Sequence, residues 1–188
     1  MSKIGVDNLH FYPLLKDDES GVSYGAGVAI PGTVSIDISP STNNATLYAD
    51  NGAWETANTM GEVSVTIELA DIPKHIQAAL LGHTIDSASG RLISKSTDES
   101  PYVGISFAAL KGNGATRYVR LAKGRFIESD DNYQTKGESI EFKTQSITAN
   151  FVVRKYDRVW KETIDSDDKE KNVGSTIAAW FNNMGSGE

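Results

Sequence analysis

The chain has 188 residues, enough for one domain with a sizeable core or at most two small ones. Its formal net charge of −7 argues against a nucleic-acid-binding surface, which needs clustered Lys and Arg. The absence of cysteine excludes disulfide and thiolate chemistry.

No apolar h-region follows Met1, so the N-terminus does not read as a secretory signal. No apolar run approaches the ~20 residues of a membrane helix. A soluble protein made in the cytoplasm is expected. Val6 to Leu14 is rich in strand formers, with Pro13 marking its end. Asp17 to Gly27 reads as a polar loop. Thr33 to Ser39 alternates, with Val34, Ile36 and Ile38 on one face and Ser35 and Asp37 on the other. Glu62 to Leu69 does the same, with Val63, Val65, Ile67 and Leu69 against Glu62, Ser64, Thr66 and Glu68. Period-two alternation means one buried face and one wet face. These wet faces are acidic or hydroxylic, with no basic residue among them.

The connection between these two strands is the most informative stretch. It carries Leu47, Tyr48, Trp54 and Met60 among small polar residues. A connection of about 20 residues in a compact domain is usually functional or disordered, and disordered segments are poor in aromatics. Two readings remain: an arm, about residues 40–61, that docks on something else, or a hairpin folded over its own core.

Asp71-Ile-Pro-Lys opens a short helix, with Asp as cap and Pro in the first turn. Ile76, Ala79 and Leu80 give it an apolar stripe, and Gly82 is placed to stop it. Arg91 to Lys95 reads as a minor strand. Tyr102 to Leu110 and Arg117 to Ile127 are strands joined through Asn113-Gly114, the strongest short hairpin signal. Glu128 to Gly137 is a polar connection, followed by strands at Ile140 to Phe142 and Ile147 to Arg154. Tyr156 to Thr163 extends the sheet. Asp165 to Asp168 then caps a C-terminal amphipathic helix with Val173, Ile177, Trp180, Phe181 and Met184 at helical spacing. The class is mainly β with α (α+β): an antiparallel sandwich or barrel flanked by a short central helix and a C-terminal helix. Residues 1–188 read as one domain, with a mobile end at 185–188.

No catalytic constellation emerges. His10, His75 and His83 form no close metal pair and suit structural or surface roles. Asp165-Ser-Asp167-Asp168 lacks the Gly and the terminal Glu of an EF-hand loop, and negative charge at a helix N-terminus explains it better. Pro31-Gly32 separates Gly25-Ala-Gly27 from any phosphate-binding helix. There is no Walker motif and no G-x-S-x-G. Glu68 and Asp71 read as a solvated strand end. No enzyme activity, cofactor or metal is expected.

Several stretches resemble the major tail proteins, or tail tube proteins, of bacteriophages with long non-contractile tails. They are Ala45-Thr-Leu-Tyr-Ala-Asp-Asn-Gly52, Gly61-Glu-Val-Ser-Val-Thr-Ile-Glu-Leu-Ala-Asp-Ile-Pro73, Ala78-Ala-Leu-Leu-Gly-His83, Pro101-Tyr-Val-Gly104, Arg117-Tyr-Val and Tyr133-Gln-Thr-Lys-Gly-Glu-Ser-Ile-Glu-Phe142. They occur in the family's order, and the resemblance extends from about residue 4 to about residue 183.

The resemblance implies a structural virion protein, synthesised in the host cytoplasm and built into the tail. Such proteins form hexameric rings that stack into a tube, and DNA crosses the lumen without specific binding. Tape-measure and tail-tip or terminator proteins are the implied partners besides the chain itself. The ring-stacking arm would use Leu47, Tyr48, Asp50, Trp54 and Met60. The lumen would be lined by Glu62, Ser64, Thr66 and Glu68, with Glu138 and Glu141. Ile177, Trp180 and Phe181 would pack the C-terminal helix on its own barrel. The alternatives are the tube of a phage-derived secretion or contractile machine, and a monomeric β-sandwich binding module.

Overall fold

A computed structural model describes residues 2–129, 144–170, 173–182 and 184. In chain order its elements are β1 (Lys3–Asp18), β2 (Gly21–Tyr24), β3 (Val28–Ala29), β4 (Thr33–Ala49), β5 (Gly52–Leu69) and α1 (Lys74–Leu81). There follow β6 (Thr84–Ile85), β7 (Leu92–Ile93), β8 (Val103–Lys111), β9 (Thr116–Ile127), β10 (Gln145–Val152), β11 (Lys161–Asp165) and α2 (Val173–Ala178). The main sheet runs β2-β1-β8-β9-β10-β5-β4, with β3 beside β1 and β11 beside β9. Every described ladder is antiparallel. The sheet curls into a half-barrel, and the class is α+β.

The sheet forks at β9. Arg117 to Leu121 pair with β11, whereas Lys123 to Ile127 pair with β10. Between them the Ala122 amide donates to the Trp160 carbonyl at 2.9 Å. One face of the curled sheet is the core. Val63, Val65, Ile67 and Leu69 of β5 are fully buried and meet Ile147, Ala149 and Phe151 of β10 in register. Strict alternation in β5 puts Glu62, Ser64, Thr66 and Glu68 on the other face. Helix α1 closes the core with Ile76, Leu80 and Leu81. Gly82 ends it in the left-handed region (φ 77°), a conformation glycine adopts without strain.

Several expectations need correction. β1 continues through Pro13 to Asp18, because Pro13 sits where the ladder passes from β8 to β2 and a missing N–H breaks little. The expected loop after it contains β2, closed by a turn in which Asp18 Oδ1 accepts from the Ser20 amide at 2.8 Å. Val34 is 50% exposed because a register shift between Thr33 and Ser35 takes it out of phase with Ile36 and Ile38. Asp71 does not cap α1: Pro73 holds that position, and no side chain bonds the free amides. Leu81, not Ala79, completes the apolar stripe.

The C-terminal helix is shorter than its apolar spacing implies. Regular α2 ends at Ala178, after which the Trp180 and Asn182 amides bond three residues back, in tighter turns. The aspartates of 165–168 do not stand at its N-terminus. Asp165 ends β11 and, with Asp167, neutralises Lys111 and Arg117 beside the β8–β9 turn. The expected strand at Ile140 to Phe142 lies outside the described residues, as do 185–188.

Candidate assembly surfaces

The arm is a two-stranded ribbon formed by the far ends of β4 and β5, from Thr42↔Met60 to Ala49↔Gly52. Asp50 (φ 49°) and Asn51 (φ 62°) close it, both left-handed, as a two-residue type I′ turn requires. The ribbon is not folded over its own core. From Ser41 to Met60 every described side chain is exposed. Leu47 is 59% exposed, Tyr48 73%, Trp54 68% and Met60 37%, so this apolar surface faces water in the free subunit.

Two bulges shape the ribbon. At its base Pro40 opposes Val63 but Thr42 opposes Met60, so Gly61 and Glu62 together face Ser41. Near the tip Glu55 opposes Leu47 and Ala53 opposes Tyr48, which makes Trp54 the extra residue. Bulges bend a strand and sharpen its twist. The first reorients the ribbon as it leaves the body, and the second pushes Trp54 out of the ladder.

The polar face of β5 continues across its neighbours. Glu68 accepts from Ser35 Oγ on β4 and from Thr144 Oγ1. Thr66 and Thr148 hydroxyls meet at 3.5 Å. Ser64 stands between Ser39 and Asn150. Glu62 is exposed at the base of the arm. Glu138 and Glu141 lie outside the described residues. Two cations that the sequence reading did not place here share this face, because Asn150 opposes Arg125 and Val152 opposes Lys123. Lys123 Nζ is bound to Asp17 Oδ2 at 2.6 Å, and the Arg125 guanidinium lies 4.1 Å from the Tyr102 ring centroid. The face is therefore mixed in charge, not purely acidic. The alternation Lys123, Arg125, Ile127 was the available signal, but only the β9–β10 register shows that it adjoins Glu62 to Glu68.

The C-terminal segment lies against β1, β8 and β9, on the face turned away from the core. Trp180 is 3% exposed and Met184 2%, while Ile177 and Phe181 are half-buried. Phe181 packs between His10 and Tyr118, at 5.1 and 6.0 Å between ring centroids. Tyr12, buried beneath them, donates its hydroxyl to the Phe181 carbonyl at 3.0 Å and meets Ser106 Oγ at 3.1 Å. Burial pushes its phenol pKa up.

His83 is tied to the body rather than to a ligand. Its ring nitrogens lie 2.9 Å from Asp98 and 3.1 Å from Glu128, on opposite sides of the ring. Asp165, Asp167 and Asp168 are close enough to share a cation. Lys111 Nζ already bridges the first two at 2.6 and 2.7 Å, and Arg117 forks onto Asp165. No helix among the described residues is long and apolar enough to cross a membrane.

Residues 18–171 match the family model described as phage tail tube protein. No curated protein matches the chain.

Proposed function

The chain belongs to the phage tail tube protein family, structural components of the virion tail that assemble into a tube, and from that premise we propose that it forms hexameric rings which stack into the tube of a long non-contractile tail. DNA passes through the lumen on its way to the host. The arm carries the reading. A ribbon that holds Leu47, Tyr48 and Trp54 in water has no purpose within one subunit, and buried aromatics dominate contacts between subunits. Arm residues Leu47, Tyr48, Asp50, Trp54 and Met60 reach the neighbouring ring. The face bearing Glu62, Ser64, Thr66 and Glu68 lines the lumen, where carboxylates repel phosphate and the Lys123 and Arg125 charges are engaged by Asp17 and Tyr102. Exposed strand edges at β4 and β2 pair with adjacent subunits as the ring closes.

Negative-stain electron microscopy and light scattering of the purified chain test this. Six-fold rings or tubes are expected, spontaneously or on addition of a tail-tip complex. A protein that stays monomeric at high concentration under both conditions overturns it.

A further inference from the structure

At the open mouth of the half-barrel, a groove of about 550 Å³ separates β1 from β4. That volume lies within the roughly 300–1,000 Å³ of ordinary binding pockets. Its floor is core that the curled sheet leaves uncovered. Val6, Ile36, Ile38 and Trp160 line it half-buried, with Phe107 beneath. Lys3 and Lys161 stand exposed on the lining, and neither has an ion-pair partner among the described residues. Asp37 is the single carboxylate lining it among those residues.

The arm is the complement of this groove. No Lys or Arg occurs between Thr33 and Leu69. The charges of the arm are Asp50 and Glu55, set near its tip among Leu47, Tyr48 and Trp54. The tip cannot occupy the groove of its own chain. Pro40, where the arm leaves the body, lines that groove, and ten residues of extended strand carry the tip about 33 Å away.

We propose that the groove between β1 and β4 receives the arm tip of a second copy of this chain, with Trp54 and Tyr48 on the apolar floor and Glu55 and Asp50 against Lys161 and Lys3. The assignment rests on the arm being the stacking element and adds the surface on which it docks. A tip and a groove held apart on one molecule make a heterologous contact, which propagates from copy to copy instead of closing between two.

Native cysteine is absent, so cross-linking is clean. A chain carrying Thr56→Cys and Val34→Cys, assembled and then oxidised, should run as a ladder of covalent multimers that reduction collapses to the single chain. Independently, K3E/K161E should leave the melting temperature unchanged and cut sedimentable polymer about tenfold. Adding E55K/D50N to that chain should restore the polymer. A normally assembled cysteine variant without a ladder, undiminished polymer from K3E/K161E, or no restoration by the arm changes overturns the groove as receptor. Replacing residues 45–57 by Asn-Gly separates the two readings. If that chain fails to stack while K3E/K161E stacks normally, the arm stands and the groove falls; if it stacks normally, both fall.

Discussion

The guanidinium of Arg120 lies over the indole of Trp180, its Cζ 3.9 Å from the ring centroid, and Nη2 donates to the Trp180 carbonyl. One side chain of β9 thus grips both the ring and the backbone of the C-terminal segment. Burial lowers the Arg120 pKa, against the pull of Glu162. Trp180→Ala should cost about 3–5 kcal/mol, read from the urea midpoint. An unchanged midpoint would deny Trp180 this anchoring role.

Gly124 faces the core under the Phe151 ring, and a Cβ there would meet three ring atoms at 2.7 Å. Phe151 is fully buried and cannot swing away without opening a void. Gly124→Ala should therefore destabilise by about 1–3 kcal/mol, as overpacking does. Gly174→Ala, with open space around it, is the control and should be nearly neutral.

Acid should unfold the subunit through a short set of carboxylates. Arg117 above all, and then Lys111, hold Asp165 far below the usual aspartate range against the opposing effect of burial. Burial raises Asp17, but Lys123 and the amides of Lys155 and Tyr156 outweigh it and leave its pKa lowered. A carboxyl that binds its proton more weakly in the folded state stabilises above its unfolded pKa, here near 3.8. That contribution disappears as pH falls through the folded value. The urea midpoint should hold from pH 7 to about 5 and fall steadily below about 4. Asp165→Asn should lower the midpoint at pH 7 and flatten the acid limb. Parallel limbs for the two proteins would remove Asp165 from this account.

The lumen assignment predicts a rate. Glu62→Lys leaves the Glu68 bonds to Ser35 and Thr144 intact, so tubes should assemble. DNA release through them should slow, more so at low salt, where screening is weaker. Normal release from particles whose tubes are intact and built from the Glu62→Lys chain would place this carboxylate elsewhere.

The β framework was legible wherever one face is wet and the other dry. Glu62 to Leu69 and the Asn113-Gly114 hairpin follow directly from alternation and turn chemistry. The arm is recognisable by its aromatics but not as a ribbon. Its strands have no buried face, so period-two alternation vanishes. Only Asp50-Asn51-Gly52, a turn signal as good as Asn113-Gly114, marks the register. The α2 region misleads in the opposite sense: apolar spacing from Val173 to Met184 fits a helix, although i−3 bonds after Ala178 serve the same packing. The cations on the polar face, the groove and the ion pairs of Lys111 depend on which strands become neighbours across long sequence separations. No local pattern encodes that.

A two-stranded ribbon with both faces in water is only marginally stable by itself. In the free subunit, no third strand and no core among the described residues hold the amides of residues 42–60, so hydrogen exchange there should be governed by local opening, far below the barrier that protects Val65 or Ile147. Assembly would then have two thermodynamic parts, the docking of preformed bodies and the freezing of the ribbon. Heat released per added subunit would report both, and tube growth would become less favourable in entropy than contact area alone implies.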